Sequence, residues 1–163
     1  IVRITSDCPL IDPQIVDHVI KKYQDEDYDY VTNTLIRSYP IGTDVEIFSF
    51  ETLEKTWQKA ILPSEREHVT LFIRNKKSGF KLGNLKNSKN LSRLRWTLDR
   101  EEDLNLIRRI VVKVNKNPIL MNDILNLFSV EPELIKINEH IPQNEGLLKS
   151  LKKDDEFQNL KTD

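Results

Sequence analysis

The chain has one cysteine, Cys8, among its 163 residues. That excludes an internal disulfide and a zinc site of several thiolates, and it agrees with a reducing compartment. Glycine is scarce as well, with Gly42, Gly79, Gly83 and Gly146 the only four. They form neither a G-x-G-x-x-G run nor a P-loop, so the chain holds no glycine-rich phosphate cradle. No apolar run approaches the roughly 20 residues that span a bilayer, and the first residues lack the basic and apolar regions of a signal peptide. A soluble, cytoplasmic protein without membrane contact is expected. An excess of one charge is also missing, with 25 Lys and Arg against 26 Asp and Glu. No field of one sign is left to hold nucleic acid or an anionic membrane, so partners must be recognised through local contacts.

What remains is an apolar share of 38%, enough for one hydrophobic core. Ile1 to Thr5 reads as a strand with nothing before it to pair with, so a further segment upstream is expected. Asp12-Pro13 reads as an N-cap and first helical residue, and Ile15, Val16, Val19, Ile20 and Tyr23 fall on one face of the helix that follows. Tyr28 to Thr32 has strand composition. This order predicts a right-handed βαβ unit in a largely parallel sheet. Val45 to Phe48 is a further strand. Leu53, Trp57, Ala60 and Ile61 make one apolar helical face, and Ser64 to Glu67 reads as a capping box opening a helix through Ile73. Phe80 to Leu85 and Leu94 to Leu98 alternate like strands. From Arg100, the residues Leu104, Ile107, Val111 and Val114 recur at helical spacing until Pro118 stops them. Short helices follow at Met121 to Phe128 and Pro132 to Ile137. Trp57 and Trp96 are expected in the core. Beyond Asn138 the apolar periodicity fades, so 1–137 is expected to form one α/β domain and 138–163 a peripheral polar tail.

Three acidic positions stand at strand ends: Asp7 after the first strand, Asp99 after Leu94 to Leu98, and Asp44 with Glu46 at the start of the third strand, where the strand-end rule does not reach directly. In open α/β sheets ligands bind outside the carboxyl ends of the strands. Carboxylates converging there suit a Mg²⁺ ion that bridges a nucleotide. Each position also has a plainer reading. Asp99, with Glu102 three residues on, fits a helix cap, and Asp7 fits an Asx-turn before Pro9. His68 suits either a sugar hydroxyl or a structural bond. Asn33, Arg37 and Tyr39 sit in a loop with Pro40 and Gly42, where binding residues gather and where plain surface polarity is equally at home. Cys8 has no evident base beside it and reads as a small loop residue rather than a nucleophile.

The segment Val2-Arg3-Ile4-Thr5-Ser6-Asp7-Cys8-Pro9-Leu10-Ile11-Asp12-Pro13 resembles the R-I-T-G-D-C-P-L-I-D-P segment of the spore coat polysaccharide biosynthesis protein F family. That family is related to the acylneuraminate and 3-deoxy-manno-octulosonate cytidylyltransferases. The likeness continues in order through Tyr30 to Thr34, Tyr39 to Phe48, Arg66 to Thr70 and Leu94 to Leu104, covering the chain to about Ile110. It implies a Rossmann-like nucleotide-diphospho-sugar transferase fold, mainly parallel and flanked by helices, without its N-terminal strands. The implied reaction activates an acidic sugar with CTP, releasing pyrophosphate, for polysaccharide, spore coat or surface glycan synthesis. By the same resemblance Asp7 and Asp99 are the Mg²⁺ ligands, and Asn33, Asp44, Glu46 and His68 line the sugar side. No catalytic residue beyond the metal ligands is implied, and a second copy of the chain is a candidate partner. Two departures stand out: Ser6 replaces the usual glycine, and the family's nucleotide loop would lie before Ile1. A glycosyltransferase of the same fold and a non-catalytic sugar- or partner-binding module are the alternatives.

Overall fold

Two residues after the first short strand, β1 (Val2–Arg3), the chain turns through a loop into helix α1 (Pro13–Asp25), in a computed structural model that describes residues 1–143 and 145–159. The helix begins where the sequence predicts. Asp12 is its N-cap, accepting from the Gln14 N–H at 2.8 Å, and its other oxygen accepts from the Met121 N–H at 2.8 Å. One carboxylate thus starts α1 and fixes a distant helix to it.

The sheet is built from β1, β2 (Tyr30–Thr32), β3 (Glu46–Phe48) and β4 (Leu82–Asn84), in the order β1-β3-β2-β4. β1, β2 and β4 run the same way, and β3 is antiparallel to the two strands it separates. The β1-α1-β2 unit is therefore present in direction, but its two strands are not neighbours. Leu94 to Leu98, expected as a strand, is an extended segment held by one parallel bridge between Ile41 and Arg95. The Ile41 N–H donates to the Leu94 carbonyl and the Trp96 N–H to the Ile41 carbonyl, each at 2.9 Å.

Helices α2 (Phe50–Lys59), α3 (Pro63–Glu67) and α4 (Leu71–Arg74) connect β3 to β4, and α5 (Glu101–Val114), α6 (Met121–Val130) and α7 (Glu145–Asn159) follow. Among the described residues no helix is long and apolar enough to cross a membrane. Ile15, Val19, Val31, Val45 and Ile47 fill the space between α1 and the sheet. Trp96, Leu106, Ile110, Ile124, Phe128 and Leu134 pack the extended segment against α5 and α6. Each such aliphatic side chain contributes about 1.5–3 kcal/mol on burial.

Three local expectations are corrected. Trp96 is fully buried, but Trp57 and Ile61 are exposed, because α2 turns Thr52 and Thr56 inward. The helix expected through Ile73 breaks at His68 to Thr70, where Val69 adopts φ 46°. The capping carboxylate is Glu65, accepting from the Ile61 and Leu62 N–H groups, and not Glu67. Ser64 instead donates through N–H and Oγ to buried Asp154 of α7. The stretch expected as a polar tail thus contributes a helix that lies against α3.

Candidate functional site

Asp7 lies in the loop after β1, and its backbone carbonyl accepts from the Leu98 N–H at 2.8 Å and the Thr97 hydroxyl at 3.0 Å. These two bonds draw the loop against the extended segment that ends at Asp99. From the other side Gly42 closes onto the same segment: a Cβ there would sit 2.5 Å from the Thr97 nitrogen. Only glycine permits that approach, and its φ of 96° is one that other residues rarely adopt. The result is a cavity of about 510 Å³ lined by Asp7, Asp44 and Asp99, three of the six residues that the resemblance places on the metal or the sugar.

The carboxylates are held differently. Asp44 accepts both arms of Arg37, at 2.7 and 2.6 Å, a bidentate pair that orients both groups on the cavity wall. Asp99 accepts one bond, from Arg95 at 2.7 Å, through Oδ2. It is not the cap of α5. Asp103 caps that helix, accepting from the Asp99 and Arg100 N–H groups at 3.1 Å each. Burial would push the Asp103 carboxyl up, but hydrogen bonds from Arg95 and Asn138 more than offset it and hold it below the usual range. Cys8 also lines the cavity, and burial pushes its thiol up to about 11. A neutral thiol at physiological pH agrees with the reading of Cys8 as a small loop residue.

The other sequence candidates lie elsewhere. Asn33 is fully buried; its amide donates to the Thr43 carbonyl at 2.6 Å and accepts from the Val45 N–H at 3.0 Å. It braces the loop that carries Asp44. Glu46, the first residue of β3, is buried among Arg3, Tyr30, Thr70 and Arg74, all of which donate to it. Neither side chain lines the cavity, and the bonds of both are bracing ones within the protein. His68 bonds Ser150 of α7 at 2.9 Å, away from the cavity.

Arg95, Thr97, Gly146 and Lys149 line the cavity without having been singled out. Arg95 had a readable signal: a cation in an alternating apolar segment, with Asp99 four and Asp103 eight residues on. Lys149 had none, since α7 reaches the cavity through tertiary contacts with α3.

Among the described residues no group of three or more His, Cys, Asp or Glu side chains gathers to enclose a metal. Asp7 and Asp99 line the same cavity, and Mg²⁺ in general is bound through one or two carboxylates plus waters and phosphate oxygens rather than by a dedicated protein cage.

Residues 1–129 match a family model described as cytidylyltransferase. The chain belongs to the cytidylyltransferase family. It is 29% identical over 145 residues to an uncharacterized protein of Methanocaldococcus jannaschii, covering 88% of this chain and 58% of that protein. It is 28% identical over 137 residues to the spore coat polysaccharide biosynthesis protein SpsF of Bacillus subtilis, covering 82% and 56%. A solved cytidylyltransferase from Leptospira borgpetersenii has the same fold, with a TM-score of 0.78 and 29% identity over 82% of this chain and 57% of that one. This cytidylyltransferase-family chain spans little more than half the length of the relatives it matches.

Proposed function

We propose that this chain forms the metal- and sugar-facing part of an enzyme that joins CTP to an acidic sugar for polysaccharide, spore coat or surface glycan synthesis. The observation that supports the reading is the convergence of Asp7, Asp44 and Asp99 on one cavity, in a chain of the cytidylyltransferase family. A sugar oxygen attacks the α-phosphorus of CTP, the bond from that phosphorus to the bridging oxygen breaks, and pyrophosphate leaves. Such transfers depend on positioning and on neutralising charge rather than on a covalent protein group. Asp7 and Asp99 would hold Mg²⁺, which supplies positive charge to the phosphate oxygens when bound. Asp44 takes two of Arg37's five N–H donors and leaves the others for an anionic group of the sugar.

The test uses the complete protein with CTP, Mg²⁺ and a panel of acidic sugars, reading pyrophosphate. Release with at least one sugar is expected, and Asp7→Ala/Asp99→Ala should cut it by about 100-fold or more. Full activity in that double variant, or release of a free nucleotide in place of pyrophosphate, would overturn the reading.

A further inference from the structure

The stretch after residue 137 supplies Ile141, Pro142, Gly146 and Lys149 to the wall of the Asp7–Asp99 cavity. Gly146 and Lys149 belong to α7, which begins beyond the segment 1–129 that matches the family. Three residues apart, the two share one side of the helix. Another side is tied to α3. Buried Asp154 accepts from the Ser64 N–H at 2.9 Å and from its hydroxyl, and buried Ser150 bonds His68 Nε2 at 2.9 Å and donates to Glu67 at 3.0 Å. Ser150 directly follows Lys149, so this anchor sets where the lysine leaves the helix. The charges around the cavity are paired unequally. Arg37 pairs with Asp44, Arg95 with Asp99 and Asp103, and Arg100 is engaged as well. Lys149 is exposed, and among the described residues no carboxylate lies within ion-pair distance of its ammonium.

We propose that Lys149 is a specificity-determining residue: its ammonium bonds one oxygen of the sugar's carboxylate while an N–H of Arg37 that Asp44 leaves unused bonds the other. The assignment rests on the reading of this cavity as the sugar site. Two observations direct the lysine to the sugar rather than to the nucleotide. The nucleotide is what cytidylyltransferases share, and the family match ends before α7, so a group carried by α7 suits the substrate that differs among them. Asp7, Asp44 and Asp99 on the same cavity repel a sugar carboxylate, so an acidic sugar needs a cation in addition to Arg37. A neutral sugar gives the ammonium no charge to pair with, and the site then discriminates against it. The ammonium is exposed and solvated, which keeps the discrimination near that of a single charged hydrogen bond.

The probes are N-acetylneuraminate, 3-deoxy-manno-octulosonate and glucuronate, each paired with its uncharged methyl ester. Each is offered to the complete protein with CTP and Mg²⁺, and pyrophosphate release is read as kcat and KM. The acid that reacts should be preferred to its ester by about 10-fold or more in kcat/KM. Lys149→Ala should raise the KM of the acid by about 10-fold, leave the KM of CTP and the rate with the ester unchanged, and so erase the preference. Lys149→Arg should restore most of it. Because the position is exposed, both variants should melt with the unaltered protein. Equal use of acid and ester by the unaltered protein, a preference that survives Lys149→Ala, or a change in the KM of CTP in place of the sugar overturns the assignment and leaves the proposed reaction standing. Release with none of the sugars overturns the proposed reaction and this assignment together.

Discussion

Arg95 and Asp103 meet through two parallel hydrogen bonds, Nε to Oδ1 at 2.9 Å and Nη2 to Oδ2 at 2.8 Å. Both are buried, and Asp103 also accepts from the Asn138 amide at 2.8 Å and from the N–H groups of Asp99 and Arg100. One carboxylate therefore fixes the start of α5, the segment before it and the backbone of Asp99. Removing it leaves a buried guanidinium without its main partner. Asp103→Ala should cost about 3–5 kcal/mol, read by chemical denaturation.

Glu46 should govern part of the acid stability. Burial alone would raise its carboxyl, but Arg74, with hydrogen bonds from Tyr30 and Thr70 and the charge of Arg3, holds it below the usual range. A carboxyl depressed by folding contributes stability that is present above its unfolded value, about 4.3, and is lost as pH falls through the folded value. Unfolding free energy should be level above about pH 5 and fall below about pH 4. Glu46→Gln should lower the neutral-pH value by about 2 kcal/mol or more, since Arg74 loses its partner. It should also flatten the acid limb. Denaturation curves of both proteins across pH check the two effects.

Local chemistry was legible in the sequence, and tertiary choices were not. Asp12-Pro13 announces α1 because a cap and a first-turn proline act within a few residues. The meeting of Asp7 and Asp99 followed from their places after strands, whereas Asp44, just before β3, joins them because β3 runs antiparallel to its neighbours, a direction that local pattern does not show. The outward face of α2 was unreadable because periodicity shows that Leu53, Trp57 and Ile61 share a side, not which way that side points. Asp99 was open between cap and ligand because Asp103, one turn further on, does the capping through a bond that depends on Arg95. Asn33 and Glu46 sit in the right segments but point into the protein, a distinction that belongs to side-chain direction rather than to position.

Gly42 and Gly79 offer a matched comparison. Both have positive φ, 96° and 79°. At Gly79 a Cβ meets nothing within 4 Å, so Gly79→Ala should cost about 1 kcal/mol, the backbone strain alone. At Gly42 the same atom strikes the backbone of Trp96 and Thr97, which cannot move without disturbing the cavity floor. Gly42→Ala should cost about 3 kcal/mol or more. Thermal denaturation of the two variants side by side measures the difference. Similar losses at both sites would mean that the loop yields and the floor is not rigid.

Cys8 should be slow to alkylate although it lies on the cavity. Only the thiolate reacts, and burial pushes the thiol to about 11, against about 8.5 for a free cysteine. At pH 8 the reactive fraction, and with it the rate, should fall by about 100-fold or more. The Thr5 hydroxyl, 3.4 Å from Sγ, eases the shift, and the Asp7 carboxylate, 3.7 Å away, reinforces it by a smaller amount. Asp7→Asn removes that negative charge and should speed alkylation at pH 8 while leaving Cys8 just as buried. Iodoacetamide kinetics on the native chain, the Asp7→Asn variant and the urea-unfolded chain separate the causes. Unfolding should restore the free-thiol rate, and Asp7→Asn should recover only a small part of it, because burial is the larger cause.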